Sequence, residues 1–302
     1  MQRHIALTVI IAVAWGFAAS GKEGSRLQTT LSDRSPAPGD VVRLDVICDC
    51  EATGATATVF GEHVPLFPTG DGSLWSGLIG VDLAVEPGTY PLTIVVEHVE
   101  PGAIAAAEDA AAEELSVAAK RFAVRRLSVP ARFVKLPEDA IARIQGESHR
   151  LQTLFHTATR PRQWHRPFQA PASAPVTGGF GTRSVFNGQP RSPHSGVDFG
   201  SKAGTPVVAP AAGTVTLAEP LFFTGSTVVI DHGLGLYSVL AHLSTFAVKE
   251  GERVRRGQVV GFAGATGRVT GPHLHWSVRL NGARVDPLSL IALTKEWPEG
   301  FE

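Results

Sequence analysis

Reactive side chains are scarce in this sequence. The 302 residues include two cysteines and one methionine, and both cysteines, Cys48 and Cys50, lie in the first quarter of the chain. The sequence also lacks a Gly-x-Ser-x-Gly elbow, a Walker-type phosphate loop, a dinucleotide-binding glycine pattern and a His-Glu-x-x-His helix. Cysteine nucleophiles in the second half, serine-elbow hydrolysis and nucleotide-dependent chemistry are therefore excluded.

Charge is also sparse. Charged residues make up 18% of the chain, the formal net charge is −1, and no block of lysine and arginine occurs. A nucleic-acid-binding protein needs a basic patch, so we expect no nucleic-acid partner. The length is sufficient for two domains, and the 32 glycines and 21 prolines indicate many turns.

Long apolar runs are confined to the N-terminus, between Ile5 and Ala19. Arg3 precedes the run, and small residues follow it up to Ser20, which is the pattern of an export signal. We predict a signal peptide over residues 1–20; an uncleaved anchor and a buried helix are the alternatives. After cleavage we expect no membrane association and a location in the periplasm or at the cell surface.

The two cysteines end the segment "VVRLDVICDC", in which apolar residues alternate. Alternation places them on one face of a strand. This pattern favours the interpretation of both cysteines as small buried residues of the strand. A local disulfide, a metal site and an intermolecular bridge are the alternatives.

Residues 25–130 consist mostly of short alternating runs separated by turn signals, which predicts a β-sandwich-like domain. One segment, "AIAAAEDAAAEEL" at residues 103–115, has high helix propensity without an apolar stripe, so we expect a packed helix or a surface insertion there. The segment "AKRFAVRRLSV" at 119–129 is expected to be another strand that closes the sandwich.

Residues 131–170 are predicted to form a helical linker. Pro137 and the acidic residues after it suit the first turn of a helix over 138–158, which we expect to pack between two domains. His149, His156 and His165 are interpreted as surface or interdomain histidines. Residues 171–295 then read as an antiparallel β domain, so the predicted fold class is mainly β with a connecting helix.

Candidate metal ligands are concentrated in this last domain. His194 and Asp198 are four residues apart in "HSGVDFG", and His273 and His275 flank Leu274 on a predicted strand, where both point to the same side. Two imidazoles and one carboxylate with an open fourth position are typical of catalytic zinc, although other transition metals accept the same ligands. A further histidine, His242, occurs in "YSVLAHLS".

The order of motifs resembles the lysostaphin/LytM-type zinc metallopeptidases that cut peptidoglycan cross-links. The similar segments are "HSGVDFG", "GTPVVAPAAGTV", "VVIDHGLGLYSVLAHLS", "VKEGERVRRGQVVGFAGATGRVTGPHLHW" and "VDPLSLI", within residues 176–292. The resemblance implies one zinc ion per chain, held by His194, Asp198 and His275, with His242 and His273 as catalytic histidines. One of the two would be the general base and the other would stabilise the oxyanion, in an order that stays open.

The resemblance further implies an endopeptidase that hydrolyses stem-peptide cross-links of peptidoglycan by metal-activated water. An inactive relative that binds the wall or activates another hydrolase, and a peptidase that cleaves proteins, are the alternatives. Glycine-rich segments at 178–188 and 264–273 suggest a narrow groove for an extended peptide, or simply turns. His232 is left out of the site. The N-terminal domain could position the enzyme, bind a protein partner or cover the groove.

Overall fold

The computed structural model of the protein describes residues 26–70, 72–100, 105–130 and 137–297. Residues 1–20, the predicted signal peptide, lie outside the described residues. In the described ranges no helix is both long and apolar enough to cross a membrane. Strands dominate these ranges, and the prediction of a mainly β fold with a connecting helix is confirmed.

The N-terminal half forms two four-stranded antiparallel sheets that face each other. Its strands are β1 (Leu27–Leu31), β2 (Val41–Cys48), β3 (Ala52–Val59), β4 (Glu62–Pro65), β5 (Phe67–Thr69), β6 (Leu74–Gly80), β7 (Gly88–Val99) and β8 (Ala106–Val117). One sheet has the order β1-β2-β6-β5 and the other β4-β3-β7-β8. Alternate side chains of both sheets fill the core: Val42, Leu44, Val46, Leu92, Ile94 and Val96. We call β1–β8 the N-terminal sandwich.

The alanine-rich segment is strand β8, so the expectation of a helix or an insertion was wrong. It pairs with β7 along its whole length, from Gly88 opposite Val117 to Val99 opposite Ala106. Pairing with a long neighbouring strand and burial of Leu115 outweigh the helix propensity of alanine and glutamate.

Cys48 and Cys50 form a disulfide, so the favoured interpretation as two unpaired residues was wrong. Strand β2 ends at Cys48 and the chain bends, which brings the two Cα atoms to 5.1 Å. This separation is within the usual range for a disulfide, whereas residues two apart on a fully extended strand lie near its upper limit. Cys48 is buried in the sandwich core as the alternation predicted.

Strand β9 (Val124–Leu127) exists as predicted, but it does not close the sandwich. It pairs in parallel with β11 (Arg183–Phe186) of the C-terminal half, in a small sheet with β12 (Gln189–Pro190). The ring of Phe122, just before β9, contacts the ring of Phe180 at a centroid distance of 6.3 Å. Val124 shares one face with Arg126, and Leu127 shares the other with Arg125, so neither face of the strand is apolar enough to pack in a sandwich core.

The C-terminal half is built on one large sheet of ten strands. These are β10 (Val176–Gly178), β13 (Gly196–Phe199), β14 (Pro206–Val208), β15 (Gly213–Leu221), β16 (Gly225–Asp231), β17 (Leu236–Phe246), β18 (Arg253–Val254), β19 (Val259–Ala263), β20 (Leu274–Leu280) and β21 (Ala283–Val285). The main path is β10-β13-β20-β17-β16-β15-β18. Helix α2 (Pro287–Lys295) follows, with Asp286 as its N-cap.

Helix α1 (Ile141–Phe155), preceded by a 3-10 turn, occupies most of the predicted helix and ends three residues before its predicted end. It packs on the large sheet, where Phe155 contacts Tyr237 at a ring distance of 5.7 Å. Only its C-terminal end reaches the N-terminal sandwich, through a 3.8 Å contact of His156 with Glu62. The C-terminal end of the helix thus contacts both halves, and its packing between two domains stays a prediction.

Besides its own core, the sandwich contributes residues to the apolar core of the C-terminal half. Val41, Phe67 and Leu78 of the sandwich belong to the same cluster as Trp164 and Trp297. At its edge Arg284 donates to Asp82 from its backbone nitrogen and from two side-chain nitrogens, at 2.6–3.0 Å. Burial of Asp82 opposes its ionisation, but the bonds from Arg284 outweigh it and hold the carboxyl pKa below its ordinary value.

We expect Asp82→Asn to lower the free energy of unfolding by about 1–3 kcal/mol at neutral pH, because it weakens charge-assisted bonds across the junction. Since the folded-state pKa is depressed, this contribution is present above about pH 4, the ordinary pKa of an aspartate. It is lost as pH falls through the lower folded-state pKa. Denaturant unfolding of both proteins at neutral and acidic pH measures the difference. The exposed Asp139→Asn is the control, and an equal loss at every pH would contradict the prediction.

Candidate metal centre

The site is built on two neighbouring antiparallel strands of the large sheet, β13 and β20. Asp198 lies directly opposite His275 in their register, and both side chains point to the same face of the sheet. The neighbours Leu274 and Trp276 point the other way and are completely buried. The alternation expected for the His-Leu-His strand is therefore present, and it leaves the polar face free for the site.

His194 reaches the same point from the segment before β13. Its backbone nitrogen donates to the Thr182 carbonyl at 3.0 Å, and its own carbonyl accepts from the Gly181 nitrogen at 2.8 Å. The Nε2 atom of His194 then lies 3.0 Å from Oδ1 of Asp198 and 3.0 Å from Nδ1 of His275. The third side of this triangle, from His275 Nδ1 to Asp198 Oδ1, measures 2.8 Å.

The donor set of this triangle fits a metal cation. Nδ1 of His194 lies 2.9 Å from the Gly179 carbonyl, so this nitrogen carries the proton and Nε2 of the neutral ring presents a lone pair. Lone pairs on Nε2 of His194, Oδ1 of Asp198 and Nδ1 of His275 converge and repel one another unless a proton or a cation lies between them. Two imidazoles and one carboxylate are a ligand set of catalytic metal sites with an open position. His194, Asp198 and His275 form a group within metal-binding distance.

The electrostatics agree with a preformed cation site. Burial opposes ionisation of Asp198, but hydrogen bonds with His194 and His275 hold its carboxyl pKa far below the ordinary value. Burial also lowers the pKa of His275, which favours the neutral imidazole that a metal requires. Burial acts in the same direction on His194, yet the bond to Asp198 raises its pKa overall.

Two glycines allow the close approach of the ligands. Gly178 lies opposite Asp198 in the pairing of β10 with β13, and a Cβ atom on it would overlap Oδ2 of Asp198. Gly196 begins β13, and a Cβ atom there would lie 2.9 Å from Cε1 of His275. Any side chain at either position would push a candidate ligand away from the centre.

His242 enters the site through an irregularity of strand β17. The pairing of β17 with β16 shifts by one residue between Leu240 and Leu243, and His242 takes a left-handed conformation with φ of 62°. Such a bulge re-aims a side chain that a regular strand would direct elsewhere. Nδ1 of His242 donates to the Thr266 carbonyl at 3.0 Å, which leaves Nε2 as the unprotonated nitrogen. Burial, and then the nearby His275, lower the pKa of His242 to about 4.

His273 lies beside His242, with ring centroids 4.8 Å apart. Its Nδ1 donates to the Gly271 carbonyl at 3.0 Å, and its Nε2 lies 3.8 Å from Oδ1 of Asp198. The structure thus brings all five predicted residues together.

His232 is fully buried, bonded to Ser238 and the Ala212 carbonyl, and takes no part in the site. His149, His156 and His165 are exposed and do not line the groove.

The five side chains lie in an open groove of about 660 Å³. Residues 268–273 of one glycine-rich segment form part of its wall, and Phe186 is the lining residue from the other. Another part of the wall comes from Arg125, Leu127 and Val129, in and just after β9. Within the described ranges, strands β1–β8 contribute none of the lining residues.

Sequence reasoning missed this β9 wall. The only available signal was the alternation of Arg125, Leu127 and Val129, which in the structure places these three side chains toward the groove. The pairing of β9 with β11 joins residues about 60 positions apart, and nothing local in the sequence indicates it.

Comparison with known proteins places this site in a family. The sequence profile of peptidase family M23 matches residues 192–287, which include all five site residues. A crystal structure described as a candidate M23 peptidase from Pseudomonas aeruginosa is 34% identical, with a TM-score of 0.64, over 85% of this chain and 95% of that chain.

Two curated relatives match the C-terminal half. The DD-carboxypeptidase/endopeptidase Mpg of Neisseria meningitidis is 46% identical over 103 residues, which are 34% of this chain and 24% of Mpg. The peptidoglycan DD-endopeptidase ShyA of Vibrio cholerae is 42% identical over 97 residues, which are 32% of this chain and 23% of ShyA. The match therefore spans about a quarter of the length of either relative. The family resemblance found in the sequence is confirmed, and the chain belongs to peptidase family M23.

Proposed function

We propose that the protein is a zinc metalloendopeptidase that hydrolyses the peptide cross-links of bacterial peptidoglycan. The observation that carries the proposal is the convergence of His194 Nε2, Asp198 Oδ1 and His275 Nδ1 within 3.0 Å of one another at the floor of an open groove. These three residues would hold the zinc ion, one per chain. A bound zinc supplies a Lewis acid that acidifies water and polarises a carbonyl group.

His242 and His273 are the proposed catalytic residues. Each has Nδ1 bound to a backbone carbonyl, so Nε2 is the nitrogen available to the groove. A neutral imidazole in this tautomer can accept a proton at Nε2 during attack and then donate it to the leaving amine. Once protonated, Nε2–H can also stabilise a developing oxyanion. Two adjacent histidines can therefore divide the roles that a glutamate and a second donor perform in His-Glu-x-x-His peptidases.

The substrate class is supported by the relatives and by the groove. Mpg and ShyA are named as a DD-carboxypeptidase/endopeptidase and a peptidoglycan DD-endopeptidase. The groove is open to solvent and lined partly by small residues such as Gly271 and Ser195, which suits an extended peptide. All five site residues are present, which disfavours an inactive relative.

We also propose the location and domain division predicted from the sequence. A wall hydrolase must work outside the cytoplasm, which agrees with an export signal at residues 1–20 and a location in the periplasm or at the cell surface. The proposed units are a sandwich-like domain over 25–130, a helical linker over 131–170 and the peptidase domain over 171–295. The first of these could have a protein partner.

The direct test is a digest of purified peptidoglycan by the protein from residue 21 onward. We expect cross-linked dimers to be converted to monomers, with loss of activity in a chelator and recovery on adding zinc, measured by mass spectrometry of the products. A stoichiometrically zinc-loaded protein that cleaves no wall peptide would contradict the proposal. Cleavage of proteins instead of wall peptides would favour the protein-cleaving alternative.

Removing a ligand and removing a catalytic histidine should have different effects. We expect His275→Ala to abolish stoichiometric zinc binding, because two ligands remain of three. His273→Ala should keep zinc and lower kcat by about 10²- to 10⁴-fold, the usual range for a general acid–base group. Zinc content and turnover are measured on the same samples, with the exposed His165→Ala as control. Normal zinc binding by both variants would refute the ligand assignment.

His242→Ala is expected to resemble His273→Ala, with zinc retained and turnover lost, because its Nε2 is the other nitrogen available to the groove. The variant also replaces a histidine at a positive φ angle, so thermal unfolding of the zinc-loaded protein should be compared with the wild type. Full activity in a stably folded variant would remove His242 from the mechanism.

A further inference from the structure

Strand β9 supplies one wall of the groove from outside the segment that matches the family profile. Arg125, Leu127 and Val129 line the groove, whereas Arg126 does not. The parallel pairing with β11 fixes this arrangement, because Arg125 lies opposite Ser184 and Leu127 opposite Phe186. The backbone pairing of β9 with β11 thus fixes the position of Arg125 at the edge of the site.

The guanidinium of Arg125 is also oriented by a hydrogen bond. Its Nε donates to the Ser184 hydroxyl at 2.9 Å, and Ser184 is buried. Among the described residues no carboxylate forms an ion pair with Arg125.

A second arginine lines the groove from the glycine-rich loop before β20. Arg268 lies over the ring of Phe223 at 5.8 Å, and Arg191 lies over Phe186 at 5.7 Å. Phe186 and Phe223 both line the groove. Burial, and then the charge of Arg191, lower the pKa of Arg268. The groove is therefore cationic beside its apolar patches.

Negative charge is almost absent from this surface. Of the described residues that line the groove, Asp198 is the only carboxylate, and it belongs to the metal-binding triangle. Arginine has a planar array of donors that matches a carboxylate, so an oriented arginine in a groove without acidic neighbours favours an anionic ligand.

We propose that the groove selects a peptide with a free carboxylate next to the scissile amide, and that Arg125 binds this carboxylate, with Arg268 as a second cationic contact. The inference rests on the proposed function and specifies its substrate. In a cross-link from a D-alanyl carbonyl to a dicarboxylic diamino acid, the carbon attached to the scissile nitrogen carries such a carboxylate. A glycine bridge has none, so the charge of the groove favours the first kind of cross-link. Arg125 is then a specificity-determining residue.

The test compares two cross-linked dimers that differ only at this group, one with the carboxylate free and one with it amidated. The zinc-loaded wild type should cleave the free form with a kcat/KM about 10- to 100-fold higher, the effect of one charge-assisted hydrogen-bond pair. Arg125→Gln should lose most of this preference through a higher KM for the free form, and should cleave the amidated dimer like the wild type. Arg125→Lys should keep part of the preference.

Arg126→Gln is the matched control, because it removes the same charge from the same strand without changing the groove. It should keep the wild-type preference. Equal cleavage of both dimers by the wild type, or an equal loss on both dimers in Arg125→Gln, would overturn the role of Arg125 and leave the proposed function intact. Cleavage of neither dimer by the zinc-loaded wild type would overturn both.

Discussion

The convergence of three acceptor atoms on one point is the constraint on which the rest of the C-terminal half depends. His194 Nε2, Asp198 Oδ1 and His275 Nδ1 lie within 3.0 Å of one another. Such an arrangement is unfavourable without a proton or cation, so the surrounding backbone must enforce it. The register of β13 with β20 sets two of the atoms, and hydrogen bonds on both sides of His194 set the third. Gly178 and Gly196 leave the space that these contacts require.

The two remaining histidines depend on irregular backbone. His242 lies at a bulge of β17 with a positive φ angle, and His273 lies just before β20, where it forms an isolated bridge with Gly264. In both residues Nδ1 is bound to a backbone carbonyl, so the ring orientation and the tautomer are fixed together. Because each Nε2 is unprotonated and available to the groove, both imidazoles are suited to proton transfer close to the metal-binding triangle.

The N-terminal half contributes to the site through the segment that follows β8 rather than through its two sheets. The sandwich packs on the C-terminal core through an apolar cluster and the pair of Asp82 with Arg284. After β8 the chain crosses over and adds β9 beside β11, which forms a wall of the groove. The segment that gives the groove part of its charge therefore lies outside the sandwich core and is held by its pairing with β11.

Local patterns in the sequence predicted much of the fold and indicated His194, Asp198, His273 and His275 as candidate metal ligands. Alternation predicted the strands of the sandwich, and spacing predicted the common face of His273 and His275, because the two-residue period of a strand is a local property. The resemblance to a known family added His242 and chose His275 over His273 as the third member of the triangle. The five residues that this resemblance implies lie close together in the structure.

Other features were decided only by tertiary structure. The alanine-rich segment became strand β8 because β7 offered a long pairing partner, and Cys48 could join Cys50 because β2 ended between them. The bulge at His242 and the pairing of β9 with β11 depend on neighbours far away in the chain. Secondary-structure propensities contribute on the order of 0.5 kcal/mol per residue. The pairing of a whole strand or the burial of a core therefore outweighs them. The sequence alone therefore determined which residues could carry the chemistry, and long-range pairing decided which side chains surround them.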